Sequence, residues 1–189
     1  MKKKMILMTV FFAAGLIAFA ISYYFTGIPV LFTFAITFGT CLYHFGIRLI
    51  VGHGIDAIYH NKMNYNRWWF RERKHEAGFY KFLHVQKWKK IMPTYTSDAY
   101  DVKKHSLDEI VQVTCQSEVV HEINMVLSFV PIIFTIWFGS FVAFLVTSIV
   151  AFLFDSIFVI MQRYNRPRLR RIMELQAKRT ARRAEAAQQ

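Results

Sequence analysis

Residues 123–161 read INMVLSFVPIIFTIWFGSFVAFLVTSIVAFLFDSIFVIM and carry one charged side chain, Asp155. A helix crosses a bilayer with about 20 apolar residues, so this run is far too long for a single crossing. It has to turn back. The turn falls at Trp137-Phe138-Gly139-Ser140, where an interfacial aromatic stands beside a flexible glycine. Two crossings return the chain to the face it left. Glu118 and His121, just before the run, and Gln162-Arg163-Tyr164-Asn165-Arg166-Pro167-Arg168-Leu169, just after it, are therefore expected at one membrane face, with His121 and Arg163 converging there.

Two further apolar runs, Met5 to Phe25 and Ile28 to Val51, lie upstream. They are continuous rather than alternating, which excludes a β-barrel. The fold class expected is an all-α integral membrane protein of four transmembrane helices in two hairpins. Residues 1–51 form the first hairpin and residues 123–161 the second. A cytoplasmic, partly interfacial helical segment, residues 52–122, lies between them, and residues 162–189 form a basic motif and tail.

The formal charge of +12 raises nucleic acid as a partner, but its distribution points to a membrane face. Lys2, Lys3 and Lys4 precede the first span, and most other basic residues lie between Gly52 and Glu122 or between Arg163 and Arg183. The Thr26-Gly27 and Gly139-Ser140 turns carry none. The positive-inside rule then puts both termini and the central segment in the cytoplasm, with no nucleic-acid partner. Ala18-Phe19-Ala20 resembles a signal-peptide cleavage site, but the apolar run continues to Phe25, which favours an anchor. Cys41 and Cys115 do not make a disulfide framework.

The second run carries His44 and Arg48, four apart and so on one helix face. Ionisable groups at that depth face a bundle interior or a polar cavity; the plainer alternative has Arg48 snorkelling to the headgroups and His44 packed. That helix is expected to fray at Gly52 and Gly54. Beyond it, Asn66-Arg67-Trp68-Trp69-Phe70 and Phe79-Tyr80-Lys81-Phe82-Leu83-His84-Val85 interleave aromatic and basic residues, as expected of segments lying on an anionic surface. Lys87-Trp88-Lys89-Lys90 then runs to Pro93, a helix stop. This basic cluster suits lipid headgroups or, alternatively, the phosphates of an acyl carrier.

Ser106 and Glu109 make a capping box at the start of a further helix. On it Glu118 and His121 are three apart, and a carboxylate beside an imidazole can fix its tautomer for general-base work; a structural pair is the plainer reading. Asp155 either pairs with Arg48 or His44 across the bundle or serves catalysis. Pro167 disfavours a helical Arg166, so the last membrane helix is expected to break around Asn165, with a surface helix from Leu169 onward.

Three blocks together resemble one family. The first is Glu76, Gly78, Phe79-Tyr80, Val85 and Lys87-Trp88-Lys89 through Pro93. The second is Glu118-x-x-His121 running to Pro131, and the third is Gln162 to Leu169. They resemble the glycosyl-diaponeurosporenoate acyltransferases of staphyloxanthin-type carotenoid synthesis. The chain differs in having the acid one position nearer Gly78, Glu122 where the pattern has tryptophan, and Asp155 where it has asparagine. The resemblance implies a bacterial multi-pass plasma-membrane enzyme. It would move a fatty acyl group from a thioester donor to a hydroxyl of a lipid-linked, glycosylated acceptor at the cytoplasmic face. Acyl-CoA or an acyl carrier protein would serve as co-substrate, with no tightly bound cofactor and no metal.

For that chemistry His121 is the candidate base, oriented by Glu118, with Arg163 and Asn165 as oxyanion or carbonyl donors. Lys87, Lys89 and Arg166 are candidate phosphate contacts, and Trp88, Gln162, Tyr164, Arg168, Arg48, His44 and Asp155 complete the expected substrate site. No Gly-x-Ser-x-Gly elbow is present, so direct attack is favoured over an acyl-enzyme; Cys115 is six residues from His121 and off its face. Two alternatives remain. One is a non-enzymatic anchor or adaptor binding anionic lipid. The other is a metal-dependent lipid-modifying enzyme built on Glu118-x-x-His121 and Glu72-x-x-His75, which sits in a poor field among Arg71, Arg73 and Lys74.

Overall fold

The structure is a computed structural model that describes residues 2–89 and 97–187. Its described residues are helical, with no strand. Four of its helical segments are long and apolar enough to cross a membrane: Lys3–Thr26, Pro29–Tyr59, Leu107–Phe138 and Phe141–Ala187. The chain divides into two compact units. Unit 1 comprises Met1–Ile58 with Val119–Phe158, and unit 2 comprises Tyr59–Glu118 with Val159–Gln189.

In unit 1, α1 (Lys2–Thr26) and α2 (Pro29–Tyr59) are joined at Gly27, whose φ of +68° lies in the left-handed region that glycine occupies at little cost. Pro29 starts α2, where its missing N–H has no helical partner to lose. Aromatic rings then pair along the two helices: Tyr23 with Phe32, Phe19 with Phe34, and Phe12 with Phe45. Gly15 is required by this packing, because a Cβ there would stand 2.1 Å from the ring of Phe38. Much of α1 presents bare hydrocarbon, with Leu7 68% exposed.

Contrary to expectation, α2 does not fray at Gly52 and Gly54. It continues to Tyr59 and ends at His60 and Asn61, both with positive φ. A glycine weakens a helix by about 1 kcal/mol, which the surrounding turns of hydrogen bonds outweigh.

The other long helices contribute to both units. α3 (Glu76–Phe82) and α4 (Val85–Trp88) belong to unit 2 and are separated by His84 in a left-handed conformation. α5 runs Leu107–Leu127 and opens with the capping box: Ser106 N–H donates to Glu109 Oε2 at 2.9 Å, and Glu109 N–H to Ser106 Oγ at 3.2 Å. After α5 comes a tight turn of helix, Val130–Phe134, then α6 (Thr135–Phe138). Pro131 has no N–H to give the carbonyl of Leu127, and Tyr43 Oη donates to that carbonyl instead at 3.0 Å. Gly139 and Ser140, both at positive φ, then end α6 and precede α7 (Phe141–Ala187).

α7 corrects a second expectation. It does not break near Asn165 but passes through Pro167 to Ala187 without interruption. The local cost of proline is outweighed by tertiary bonds made by the residues before it, described below. The core of unit 2 is formed by Tyr80, Val85 and Tyr164, with Leu83, Trp88 and Ile160 packed against it. Pro93 and Lys90 lie outside the described residues.

Candidate active site

The expected site residues gather in two clusters, one in each unit. In unit 1, α2 brings Arg48, α5 brings His121 and α7 brings Asp155. Asp155 is fully buried, and its carboxylate accepts from Arg48 Nη2 at 2.5 Å and Nε at 3.4 Å. Arg48 also donates to the carbonyls of His44 (2.6 Å) and Ala151 (3.1 Å), so it does not snorkel. His121 Nδ1 lies 2.8 Å from Asp155 Oδ1, and its ring stacks on Phe158 at 4.6 Å with 9° between planes. The carboxylate thus fixes one ring nitrogen and leaves Nε2 as the nitrogen that can exchange a proton with a ligand.

Unit 2 holds the second cluster. Glu118 is fully buried, and its carboxylate accepts from Arg163 Nη1 at 2.7 Å and from Arg166 Nη2. Arg163 in turn donates to Glu76 Oε1 from Nη2 (2.6 Å) and Nε (3.1 Å), and to the carbonyls of Trp69 and Arg71. Its N–H groups are thereby all directed at protein acceptors. Arg166, 2% exposed, donates to Thr114 Oγ1 and to the carbonyls of Thr114 and Phe70, with its guanidinium over the Phe70 ring at 4.9 Å.

Three assignments change in consequence. Glu118 does not orient His121; it neutralises two arginines, and Asp155 stands where Glu118 was expected. Arg163 is a clamp between two carboxylates, with its fork already filled rather than open to an oxyanion. Arg166 is a buried strut with no face for a phosphate.

The remaining basic and aromatic residues meet around Tyr164, whose buried ring has Arg168 at 3.5 Å and Lys89 Nζ at 4.7 Å from its centroid. Lys89 donates to Asn165 Oδ1 at 2.8 Å, Arg168 to the Tyr164 carbonyl at 2.6 Å, and Lys87 is exposed. Trp88 is half-buried, with its indole N–H given to the Leu83 carbonyl at 2.9 Å. Gln162 is buried and donates to Tyr100 Oη and Ser117 Oγ. Tyr80, donating to Glu76 Oε2 at 2.9 Å, has its phenol pushed above the ordinary value by burial and by that bond. Among the described residues no three His, Cys, Asp or Glu side chains gather as a metal-binding group, and Glu118 is engaged by arginines. Cys115 is fully buried, without access for a thioester.

The model of one protein family, described as glycosyl-4,4'-diaponeurosporenoate acyltransferase, matches residues 66–175, which hold both Glu118 and His121, Asp155, and the whole Arg163–Arg168 block. The chain belongs to this acyltransferase family. No curated protein and no solved structure matches it. The matched region starts after α2, so Arg48 and His44 lie outside what the family model covers.

Two pairings were not identified from the acyltransferase sequence, although Asp155 and Glu76 were themselves singled out there. The Asp155–His121 bond joins residues 34 apart, beyond any spacing rule for a single helix. Its signal was the isolated charge in an apolar run, which requires a partner. The Glu76–Arg163 pair spans 87 residues and had no local signal beyond membership in the family-like block.

Proposed function

We propose that the protein transfers a fatty acyl group from a thioester donor, acyl-CoA or an acyl carrier protein, to a hydroxyl of a lipid-linked, glycosylated acceptor. The two helix pairs on either side of Gly27 and Gly139 form hairpins in the plasma membrane, with both termini in the cytoplasm. The basic flanks of the apolar runs support that orientation.

One observation carries the reading: His121 Nδ1 held 2.8 Å from a buried carboxylate, with the other ring nitrogen left for chemistry. In the reaction, Nε2 takes the proton of the acceptor hydroxyl as its oxygen bonds to the thioester carbonyl carbon. The carbonyl electrons return, the carbon–sulfur bond breaks, and the imidazolium protonates the departing thiolate. Asp155 keeps the tautomer that places a lone pair on Nε2 and stabilises the imidazolium formed in between. Arg48 fixes that carboxylate from the opposite side. In unit 2, Lys89, Asn165 and Arg168 beside Tyr164, together with the exposed Lys87 of α4, contact the phosphates of the donor.

The test is acyl transfer by purified variants, read by mass spectrometry as a gain of one acyl group on the acceptor. His121→Ala abolishes transfer while the protein stays folded in detergent. Asp155→Asn, which keeps an acceptor for Nδ1–H without the charge, lowers kcat by about 10²- to 10⁴-fold. Retained activity in His121→Ala removes the base assignment.

A further inference from the structure

Past the Tyr164 patch, the part of α7 that belongs to unit 2 runs on as an exposed basic helix. From Leu169 to Ala187 its charged side chains are Arg170, Arg171, Lys178, Arg179, Arg182 and Arg183, set against Glu174 and Glu185 alone. Every residue from Glu174 to Ala187 is exposed. Arg171, Lys178, Arg179, Arg182 and Arg183 make no hydrogen bond or ion pair among the described residues. Their charge is therefore open to a partner.

The charges are ordered. Arg168, Arg171, Leu175, Lys178 and Arg182 recur at alternating steps of three and four, which places them in one stripe along the helix. Neither glutamate falls in that stripe. Ile172 and Arg179 lie beside it, while the half-buried Leu169 and Met173 lie on the opposite side, so the stripe faces solvent. Within it stand two large apolar side chains, Ile172 and Leu175, 46% and 49% exposed. Apolar anchors ringed by charge are the composition of a surface that meets another protein.

The stripe also starts at a meaningful place. Arg168 shares the Tyr164 ring with Lys89, at the patch assigned to the donor's phosphates. From Arg168 to Arg182 the helix rises about 21 Å. Coenzyme A ends in a single nucleotide and would use only the near end of that length. In an acyl carrier protein the arm's phosphate is esterified to a serine on the carrier's own surface. The body of the carrier must then lie against whatever flanks the phosphate site, which here is the basic stripe.

We propose that the face of α7 from Arg171 to Arg182 docks a small acidic carrier protein that bears the acyl chain on a phosphopantetheine arm. Carboxylates of the carrier meet Arg171, Lys178 and Arg182, apolar side chains between them meet Ile172 and Leu175, and the arm's phosphate sits at Lys89 and Arg168. The assignment rests on the acyl-transfer reading and makes the thioester donor a protein. An anionic lipid surface is a poorer match. A helix lying on a bilayer presents a broad apolar face with aromatic residues, whereas the side opposite this stripe offers Ala177, Thr180 and Ala184. The large exposed aromatics of unit 2, Trp68 and Phe82, are on other elements.

The test needs no turnover. Full-length protein in phosphatidylcholine nanodiscs is titrated against a fluorescently labelled bacterial holo-acyl carrier protein, and binding is read by anisotropy. Saturable binding that weakens as salt is raised is expected. The triple variant Arg171→Gln, Lys178→Gln, Arg182→Gln should weaken it about tenfold, the loss expected of three exposed ion pairs. Ala177→Glu, Thr180→Glu, Ala184→Glu removes the same net charge from the opposite side and should change binding less than about twofold. Absence of binding, or equal weakening by the two triples, overturns the proposal. Carrier should also slow tryptic cleavage after Arg179. Protection by phosphatidylglycerol in the disc, with none from carrier, would assign the stripe to lipid and overturn the docking. Transfer from acyl-CoA without carrier binding would overturn the docking and keep the reaction, and carrier binding without transfer to any acceptor would keep the docking and remove the reaction.

Discussion

Replacing Glu118 by alanine separates structure from chemistry at the residue the sequence placed beside His121, the proposed base. Its carboxylate is fully buried between Arg163 and Arg166. Arg163 keeps two contacts to Glu76 when Glu118 is lost, so the penalty concentrates on Arg166, which is 2% exposed and has no other carboxylate partner among the described residues. Removing one member of a buried ion pair costs about 3–5 kcal/mol, because the remaining charge cannot return to water. For a chain of this length each kcal/mol lowers the melting temperature by about 2–4 °C, so Glu118→Ala should lower it by roughly 6–20 °C. Glu118→Leu combined with Arg166→Met removes both charges and should recover most of the loss. The assay is thermal unfolding in detergent beside the acyl-transfer rate. A melting temperature within about 2 °C of the wild type, together with a large fall in kcat, would falsify the strut and return Glu118 to the imidazole.

Two shorter predictions concern unit 2. Tyr164→Leu removes the ring shared by Lys89 and Arg168 and should raise KM for the thioester donor about tenfold with little change in kcat, and the dependence of KM on salt should weaken; an unchanged KM would detach this patch from the donor. The Tyr80 phenol is held protonated above its ordinary value of 10.0 by burial and by its bond to Glu76. A raised value in the folded state means a contribution that is complete below pH 10 and declines as pH climbs from there toward the folded value. Tyr80→Phe should therefore flatten the alkaline limb of the stability curve measured from pH 9 to 12, and an identical limb in both proteins would show that another group governs it.

The sequence made the apolar segments legible because bilayer thickness imposes a length that composition alone satisfies. The capping box at Ser106 and the helix interruption at Gly139 were equally legible, since both depend on residues within a few positions of each other. Helix ends were less so. Gly52, Gly54 and Pro167 read as breaks by propensity, but propensity is worth about 1–3 kcal/mol and tertiary bonds exceed it, as the four acceptors around Arg166 illustrate. In the candidate site, residue types were readable and partners were not. Local spacing favoured Glu118 for His121, whereas the bond is made by Asp155 from another helix. Arg166 was a candidate phosphate contact because it sits among arginines, and its burial and its pairing with Glu118 set it apart from Arg168.

The node of Arg48, Asp155 and His121 has a mechanical consequence. Its three side chains come from α2, α7 and α5, distant from one another in the chain, and one carboxylate holds the other two. Displacing Asp155 therefore loosens three helices of unit 1 together, so the contact that orients the imidazole also ties those helices at one level.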